Sequence, residues 1–417
     1  MTKSVILTHP TGNPNVRGAL NGLNNAGLLN SFITSIATFP GDMPYQLGGH
    51  SPFTDIRKRT YDKNLSALTY SWPWKETGRI LSSKAGLHSF LKHESGIFCI
   101  DAVYKSIDKH VSEKLKQLHK RGIKAIYAYE DGARASFKQA HQLNIKCLYD
   151  LPIGYWRAAR RLLTAEQDKY PEWASTMTGL LDSDQKLSYK DEELKLADRI
   201  YVASKFTAST LQEFPGKLAP IEIIPYGFPP ISATNLYSKY NGVGPLKLLF
   251  VGGLSQRKGI ANLFEAVEKF GKHLELTLVG KKPVDDCEVL NRALKRYKWI
   301  PSLPLKDVLL LMKNHDALVF PSLFEGFGLV ITEAMSQGTP VITTERTAGP
   351  DLISHGENGW LIKAGDTVNL IDCIDFVLAN PRNLISVSRE ALNAAGKRPW
   401  EVYGKELAES IAGNITY

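Results

Sequence analysis

Short apolar runs ended by glycine, proline or asparagine recur along this chain, and stretches of helical periodicity lie between them. VILTHP at 5–10 predicts a first strand. The TGNPN loop then gives way to a helix whose Val16, Leu20, Leu23 and Leu28 fall near one face, with Gly27 where the helix should end. Residues 40–60, rich in Gly, Pro and His, read as a long loop, and IFCIDAV at 97–103 reads as another strand. KAIYAYED (124–131) and KCLYDLP (146–152) predict strands separated by the helical ARASFKQAHQLN. Residues 157–198 are polar and helical and feed the strand RIYVAS; IEIIPYGFPP (221–230) is a strand broken by prolines. After a turn-rich linker at 231–245 the pattern restarts. LKLLFVGGLSQRKGI (246–260) predicts strand, Gly-rich turn and helix start, ELTLVGKKP (275–283) a strand, and VLLLMKNHDALVFPS (308–322) a helix running into a strand. NGWLIKAGD (358–366) is a short strand and turn, and a helix beginning near Trp400 closes the chain. Strands alternating with helices imply parallel sheets with crossover helices, here in two Rossmann-like halves. A cleft between two such halves is a common ligand site.

Composition narrows this picture. A chain of 417 residues is too long for one ordinary core, and 43% hydrophobic with 22% charged residues is the balance of a soluble globular enzyme. No apolar run reaches the ~18 residues that span a bilayer, and the opening MTKSVILTHPTGNPN is too short in its apolar part for a signal peptide. Cys99, Cys147, Cys287 and Cys373 are scattered without a CxxC pair, which suits a reducing cytoplasm and argues against a disulfide framework or a structural zinc site. The formal charge of +9 is uneven: residues 41–130 hold 15 Lys and Arg against 9 Asp and Glu, with clusters at Arg57–Lys58–Arg59, Lys114–Lys116 and Lys120–Arg121. A solvated surface is one reading of these. A face meeting anionic lipid headgroups, on the inner side of a membrane, or a phosphorylated acceptor is the other. A nucleic acid partner is not expected, because aromatics do not interleave with the basic residues.

The chemistry concentrates in VFPSLFEGFGLVITEAMSQGTPVITT (319–344), where Glu325 and Glu333 are separated by seven residues and Gly326, Phe327 and Gly328 follow the first. Such a turn brings backbone N–H groups and a carboxylate to the mouth of a parallel sheet. Arg257 and Lys258 are expected at a helix start, where the helix dipole also favours an anion.

FVGGLSQRKGI, FPSLFEGFGLVITEAMSQGTPVI and DLISHGENGWLIKAGD together resemble the donor-binding domain of the family-4 retaining glycosyltransferases, with LADRIYVASKFTASTL and IIPYGF resembling the passage between the family's two domains. The resemblance covers about residues 190–370. It implies a GT-B fold: an acceptor-side domain over 1–230, a nucleotide-sugar domain over 231–399, and residues 400–417 crossing back onto the first domain. Truncation from Trp400 is then expected to weaken donor turnover. It also implies roles. Arg257 and Lys258 would neutralise the departing diphosphate. Glu325, Gly326, Phe327, Gly328 and Leu329 would hold the donor sugar, and Glu333 the ribose hydroxyls. Gly12 and Asn13 would close over the diphosphate from the first domain, Gly12 fitting the family's glycines and Asn13 tolerating unusual dihedrals. Arg17, one turn further, would reach the same site. Many members carry an arginine five residues before the lysine; here Gly253 occupies that position, and Arg257 is expected to supply the missing guanidinium.

The acceptor side is less defined. Where many relatives end a strand in histidine, this chain has Tyr129, Glu130 and Asp131, so Glu130 or Asp131 would orient or deprotonate the acceptor hydroxyl, with Asp150 and His9 as further candidates. Asp182–Ser183–Asp184 spells a metal–diphosphate signature but lies in a helix-prone stretch and reads as a turn or cap, while Asp285–Asp286 reads as a helix start. Catalysis is expected to need neither metal nor cofactor, with a glycan or lipid-linked glycan as acceptor and retention by front-side displacement. Cell-surface polysaccharide assembly is the expected setting. Transfer to a soluble metabolite, nucleotide-sugar epimerisation and a non-enzymatic sugar-binding scaffold remain as alternatives.

Overall fold

The computed structural model describes residues 3–47, 54–232 and 240–415. Two parallel sheets organise them. The first has seven strands in the order β3-β2-β1-β4-β5-β6-β7: β1 (Val5–Thr8), β2 (Leu29–Thr34), β3 (Thr69–Ser71), β4 (Ala125–Tyr129), β5 (Lys146–Leu151), β6 (Arg199–Val202) and β7 (Ile221–Ile223). The second has six in the order β10-β9-β8-β11-β12-β13: β8 (Leu246–Val251), β9 (Leu274–Val279), β10 (Lys298–Ile300), β11 (Ala317–Phe320), β12 (Val341–Thr344) and β13 (Trp360–Ile362). The central strands β1, β4, β11 and β12 are buried along their whole length, which is why they read as apolar runs and not as alternating ones.

Strand order reverses between β1 and β4 in the first sheet and between β8 and β11 in the second. The chain leaving each of these strands diverges from its neighbour, and the resulting crevice at the carboxyl ends is where open α/β sheets bind ligands. The turns that carry the candidate residues (9–13, 130–131, 252–258 and 321–328) follow β1, β4, β8 and β11, so topology alone sends them to the two crevices.

The helices of the first half include α1 (Pro14–Asn25), α2 (Trp74–Lys84) and α3 (Ile100–His119). The predicted strand at 97–103 is the approach to and start of α3, with Cys99 as its cap. Val103, Ile107, Val111 and Leu115 continue the apolar spacing at three and four residues over a length no strand has, and the helix buries that face. The strand that fills the sheet on that side is β3, whose three residues are mostly exposed and leave little apolar signal. The expected loop at 40–60 contains short helices at Met43–Leu47 and Thr54–Arg57, while residues 48–53 lie outside the described ones.

Later in the chain come α4 (Arg134–Gln142), α5 (Trp156–Lys169), α6 (Asp184–Leu196), α7 (Ile260–Glu268), α8 (Leu329–Ser336) and α9 (Trp400–Ile415). α9 returns to the first sheet, where Tyr403, Leu407 and Ile411 share one core with Val16, Leu20 and Leu23 of α1. The chain after α5 crosses the other way. Trp173 belongs to the core of the second sheet, its ring stacked 5.9 Å from Phe264 of α7. Ser183 caps α6, in agreement with the cap expected there, and the helix expected at Asp285–Asp286 begins later, at Glu288. Arg257 and Lys258 precede the helix expected to carry them: they form a single tight turn with Gln256, and Gly259 then opens α7. All four cysteines are free and buried, and among the described residues no helix is long and apolar enough to cross a membrane.

Candidate active site

The turns after β8 and β11 are laced together by their own hydrogen bonds. The carbonyl of Arg257 accepts from Leu323 N at 2.9 Å and from Ser322 Oγ at 3.2 Å. Arg257 Nη1 returns the contact, donating to the Phe324 carbonyl at 2.7 Å and to Glu325 Oε1 at 2.8 Å. Lys258 Nζ pairs with the same Oε1, which Ser322 Oγ also approaches at 3.3 Å. Residues 257 and 258, far in sequence from 325, thus form with it one partly buried triad of two cations and one carboxylate, with a net positive charge. Burial pulls Lys258 down to about 8 against the opposing pull of Glu325. Burial pushes Glu325 up, but the Lys258 and Arg257 charges outweigh it and hold the carboxyl below its usual range. At neutral pH both partners are therefore charged.

Gly326 follows at a point of close approach. A Cβ there would lie 1.8 Å from the Pro152 carbonyl oxygen, and the Gly326 carbonyl accepts from Ser204 Oγ at 2.5 Å and Thr207 Oγ1 at 2.8 Å. Phe327 is buried with its ring 4.9 Å from Tyr226 of the first half. The carbonyl side of this turn is thus committed to the first domain. Among the described residues, the N–H groups of Gly326, Phe327 and Gly328 donate to no backbone or side-chain acceptor. Gly328, at φ +88, and Leu329 start α8, and Glu333 sits one turn along it, half-buried. Burial alone pushes the Glu333 carboxyl up to about 7.

The first domain contributes differently from expectation. Asn13 has ordinary extended dihedrals (φ −63, ψ 159) as the residue before α1, so its tolerance of unusual ones is not used. Gly12 is required for space: a Cβ would come within 2.4 Å of Tyr61 Oη. Arg17 is spent on the backbone, donating to the carbonyls of Gly12 (2.8 Å), Thr60 (2.6 Å) and Lys58 (3.3 Å). His9 is buried between the rings of Tyr104 and Tyr129, its Nδ1 accepting from Thr11 N at 2.9 Å. Burial lowers it to about 4, so it is a neutral imidazole at physiological pH.

The candidate acceptor acids are all engaged. Glu130 lies buried 3.3 Å from Lys190 of α6; burial pushes it up to about 7 although Lys190 opposes this. Asp131, in a left-handed conformation (φ +69), is 3.8 Å from the same Lys190 Nζ. Its turn is held by Glu193, a buried carboxylate on α6 that accepts from the backbone N–H groups of Asp131 and Ala133 at 2.9 Å each. Asp150 accepts from Tyr127 Oη at 2.5 Å, is only 3% exposed, and is pushed by burial up to about 7. Asp182 pairs with Lys186 at 3.1 Å and His93 at 2.9 Å. Ser322, Ser204, Thr207 and Glu193 were not legible in the sequence. Hydroxyls are ordinary surface residues by composition, and Glu193 looks like one more charge in a polar helix. Thr176, whose Oγ1 accepts from Gln256 N at 3.0 Å, ties the cation turn to the chain after α5 and was equally silent.

The turns at the carboxyl ends of β8 and β11 thus bring a Gly-rich segment, a cation pair and the Glu325 carboxylate together. Comparison with known proteins places the domain that carries them. Residues 238–398 match the family model described as Glycosyl transferases group 1. Curated relatives include a glycogen synthase of Mycobacterium tuberculosis, 29% identical over 145 residues (33% of this chain, 35% of that protein). A lipopolysaccharide 1,6-galactosyltransferase of Salmonella typhimurium is 31% identical over 144 residues (32% and 40%). The match thus spans well under half the length of these relatives. Solved structures resemble the whole chain. Sucrose-phosphate synthase of Thermosynechococcus elongatus has a TM-score of 0.64 at 20% identity, covering 99% of both chains. Anabaena HepE in complex with UDP has a TM-score of 0.61 at 15% identity, covering 98% of this chain and 100% of that one. The fold is GT-B, as the sequence motifs implied.

Proposed function

We propose that this protein moves a sugar from a nucleoside diphosphate to a hydroxyl of a glycan or lipid-linked glycan acceptor, with retention and without a metal ion, in cell-surface polysaccharide assembly on the cytoplasmic side. The observation that carries this reading is the triad of Arg257, Lys258 and Glu325 at the crevice of the second sheet. As the anomeric bond breaks, negative charge grows on the leaving diphosphate. Two cations held beside it stabilise it electrostatically, supplying charge that a metal would otherwise provide. When phosphate oxygens draw the cations, Glu325 is released to accept from sugar hydroxyls, and the N–H groups of Gly326–Gly328 face the same ligand. Glu333 accepts from the ribose diol. Front-side displacement lets the departing phosphate take the acceptor proton, which fits a first domain whose candidate acids are engaged with Lys190 and Tyr127. The relatives named for lipopolysaccharide and glycogen synthesis support a glycan acceptor.

A thermal-shift screen against UDP, GDP, ADP and dTDP tests the reading. One nucleoside diphosphate at about 100 times its Kd should stabilise the protein by about 2.7 kcal/mol. No shift with any of them would overturn it.

The pH dependence of that binding is a second expected result. Ribose hydroxyls favour the ionised Glu333, so affinity should rise as pH climbs through about 7. The diphosphate favours protonated Lys258, so affinity should fall again above about 8. Glu333→Gln should flatten the acid limb, worth up to about tenfold between pH 6 and 8, and leave the alkaline limb. Titration of the phosphate itself affects both proteins equally and cancels in the comparison. An unchanged acid limb in the variant would exclude Glu333 from the ribose site.

A further inference from the structure

The wall behind the cation pair is built by the chain between β5 and β6, two strands of the first sheet. Ala158 and Leu163 of α5 and the following Met177 share one buried cluster with Leu323 and Phe324, the residues just before Glu325. A Cβ on Gly154 would come within 2.5 Å of the Phe324 ring. Residues 169–176 then lie on the second domain as a strap. Lys169 Nζ donates to the Gly365 carbonyl at 2.7 Å, and Tyr170 Oη donates to Glu265 at 3.0 Å while accepting from Asn262 Nδ2 at 3.1 Å. Trp173 fills the core beside Phe264.

The strap ends on Thr176, which has 0% exposure. Its Oγ1 donates to the Trp173 carbonyl at 2.6 Å and accepts from Gln256 N at 3.0 Å, and its carbonyl accepts from Ser255 Oγ at 2.7 Å. Ser255 Oγ in turn accepts from Arg257 N at 3.2 Å. One hydroxyl and one carbonyl of the strap thus fix the two residues that precede Arg257 and Lys258. From the other side Gln256, itself buried, is tied to the start of α7: its Nε2 donates to Asn262 Oδ1 at 3.1 Å and its Oε1 accepts from Ala261 N at 2.9 Å.

The turn Gln256–Lys258 is a single one, too short to keep its own orientation. Its direction comes from what its ends are bonded to, and Lys258 depends on that direction. The ammonium sits on Glu325 Oε1, 4.9 Å from the centre of the Phe320 ring, where burial disfavours its charge. A lysine stem is flexible and its head strongly hydrated, so a free backbone would let it swing towards water. A fixed backbone at 255–256 holds it on the carboxylate.

Resting on the transferase reading, we infer that Thr176 is a positioning residue of the donor site: by accepting from Gln256 N it sets the turn that aims Arg257 and Lys258 at Glu325 and at the leaving diphosphate. Chain that leaves the first sheet thereby governs the electrostatics of a site at the mouth of the second. A substitution on the strap reaches the phosphate without touching it.

Thr176→Val keeps the shape of the side chain and removes the acceptor, leaving a buried N–H that is costly unless the turn moves. Thr176→Ser keeps the hydroxyl. Lys258 reports the outcome through the pH dependence of its trace labelling by acetic anhydride, located by peptide mass spectrometry on the full chain. In wild type and Thr176→Ser the Lys258 amine should titrate at about 8; in Thr176→Val it should move up towards the ordinary lysine value of about 10.4. The preferred nucleoside diphosphate among UDP, GDP, ADP and dTDP should bind Thr176→Val about tenfold more weakly, with the alkaline fall in affinity displaced to higher pH, and should bind Thr176→Ser as it binds wild type. A threonine that serves only stability would lower Tm in Thr176→Val and leave the Lys258 titration and the alkaline limb in place; that result overturns the proposal, as does a Thr176→Ser chain that behaves like Thr176→Val. If Thr176→Val does not fold, Ser255→Ala breaks the same joint from its partly exposed side and should move Lys258 in the same direction, and an unmoved Lys258 there overturns the proposal. A wild type that binds no nucleoside diphosphate counts against the transferase reading alone, because the Lys258 titration still decides whether Thr176 sets the turn.

Discussion

Lys258→Ala should lower kcat for sugar transfer by about 10²–10³-fold, the usual cost of removing one group aimed at charge that develops in the transition state. The Lys258 side chain is 12% exposed and touches Glu325 Oε1, and its ammonium lies 4.9 Å from the centre of the Phe320 ring, so bulk water screens it only weakly. Nucleoside diphosphate affinity should fall less than kcat, because Arg257 remains. Arg257→Ala should also be severe if that guanidinium stands in for the arginine absent at Gly253; near-normal turnover would reject that substitution. Glu325→Gln should behave in the opposite sense for product: with the counter-charge gone, the diphosphate should bind more tightly while transfer slows. Single-turnover rates beside nucleoside diphosphate Kd values separate these outcomes. A Lys258→Ala enzyme with kcat within about threefold of wild type would remove the lysine from the leaving-group site, where a loss of at least ~10²-fold is expected.

Deleting residues 400–417 should prevent the first domain from folding. α9 buries Tyr403, Leu407 and Ile411 to 1% exposure or less against α1. Large apolar side chains are worth about 1.5–3 kcal/mol each when fully buried, and a whole domain is stable by only about 5–15 kcal/mol. Tyr201 Oη also meets Ser410 Oγ at 3.1 Å, so the deletion strips a partner from β6. The expected signs are loss of a cooperative melting transition and insoluble expression. A truncated chain with an unchanged Tm would show that α9 is dispensable. The sequence predicted weakened turnover from this truncation. The structure makes that loss a consequence of stability, so turnover of the truncated chain would not by itself report coupling between the domains.

What the sequence determined by itself is local. The strands β1, β4 and β11 are legible because burial on both faces requires unbroken apolar runs, and the turns after them because glycine and charged residues interrupt those runs. The spacing of Glu325 and Glu333 likewise survives folding, since a short turn and one helical turn fix it. Patterning failed where two structures share a signal or leave none: 97–103 leads into a helix whose period emerges only further on, and β3 is too short and exposed to register. The tertiary structure alone decided everything that depends on which distant segments meet. It placed Glu325 on Arg257 and Lys258, sealed Asp150 behind Tyr127, engaged Glu130 with Lys190, and spent Arg17 on three carbonyls. It also set Thr176 behind the turn that carries Arg257 and Lys258. A charge in a sequence says nothing of its partner. Burial and electrostatics act on the residues that the fold brings into contact, and those contacts are made between positions far apart along the chain.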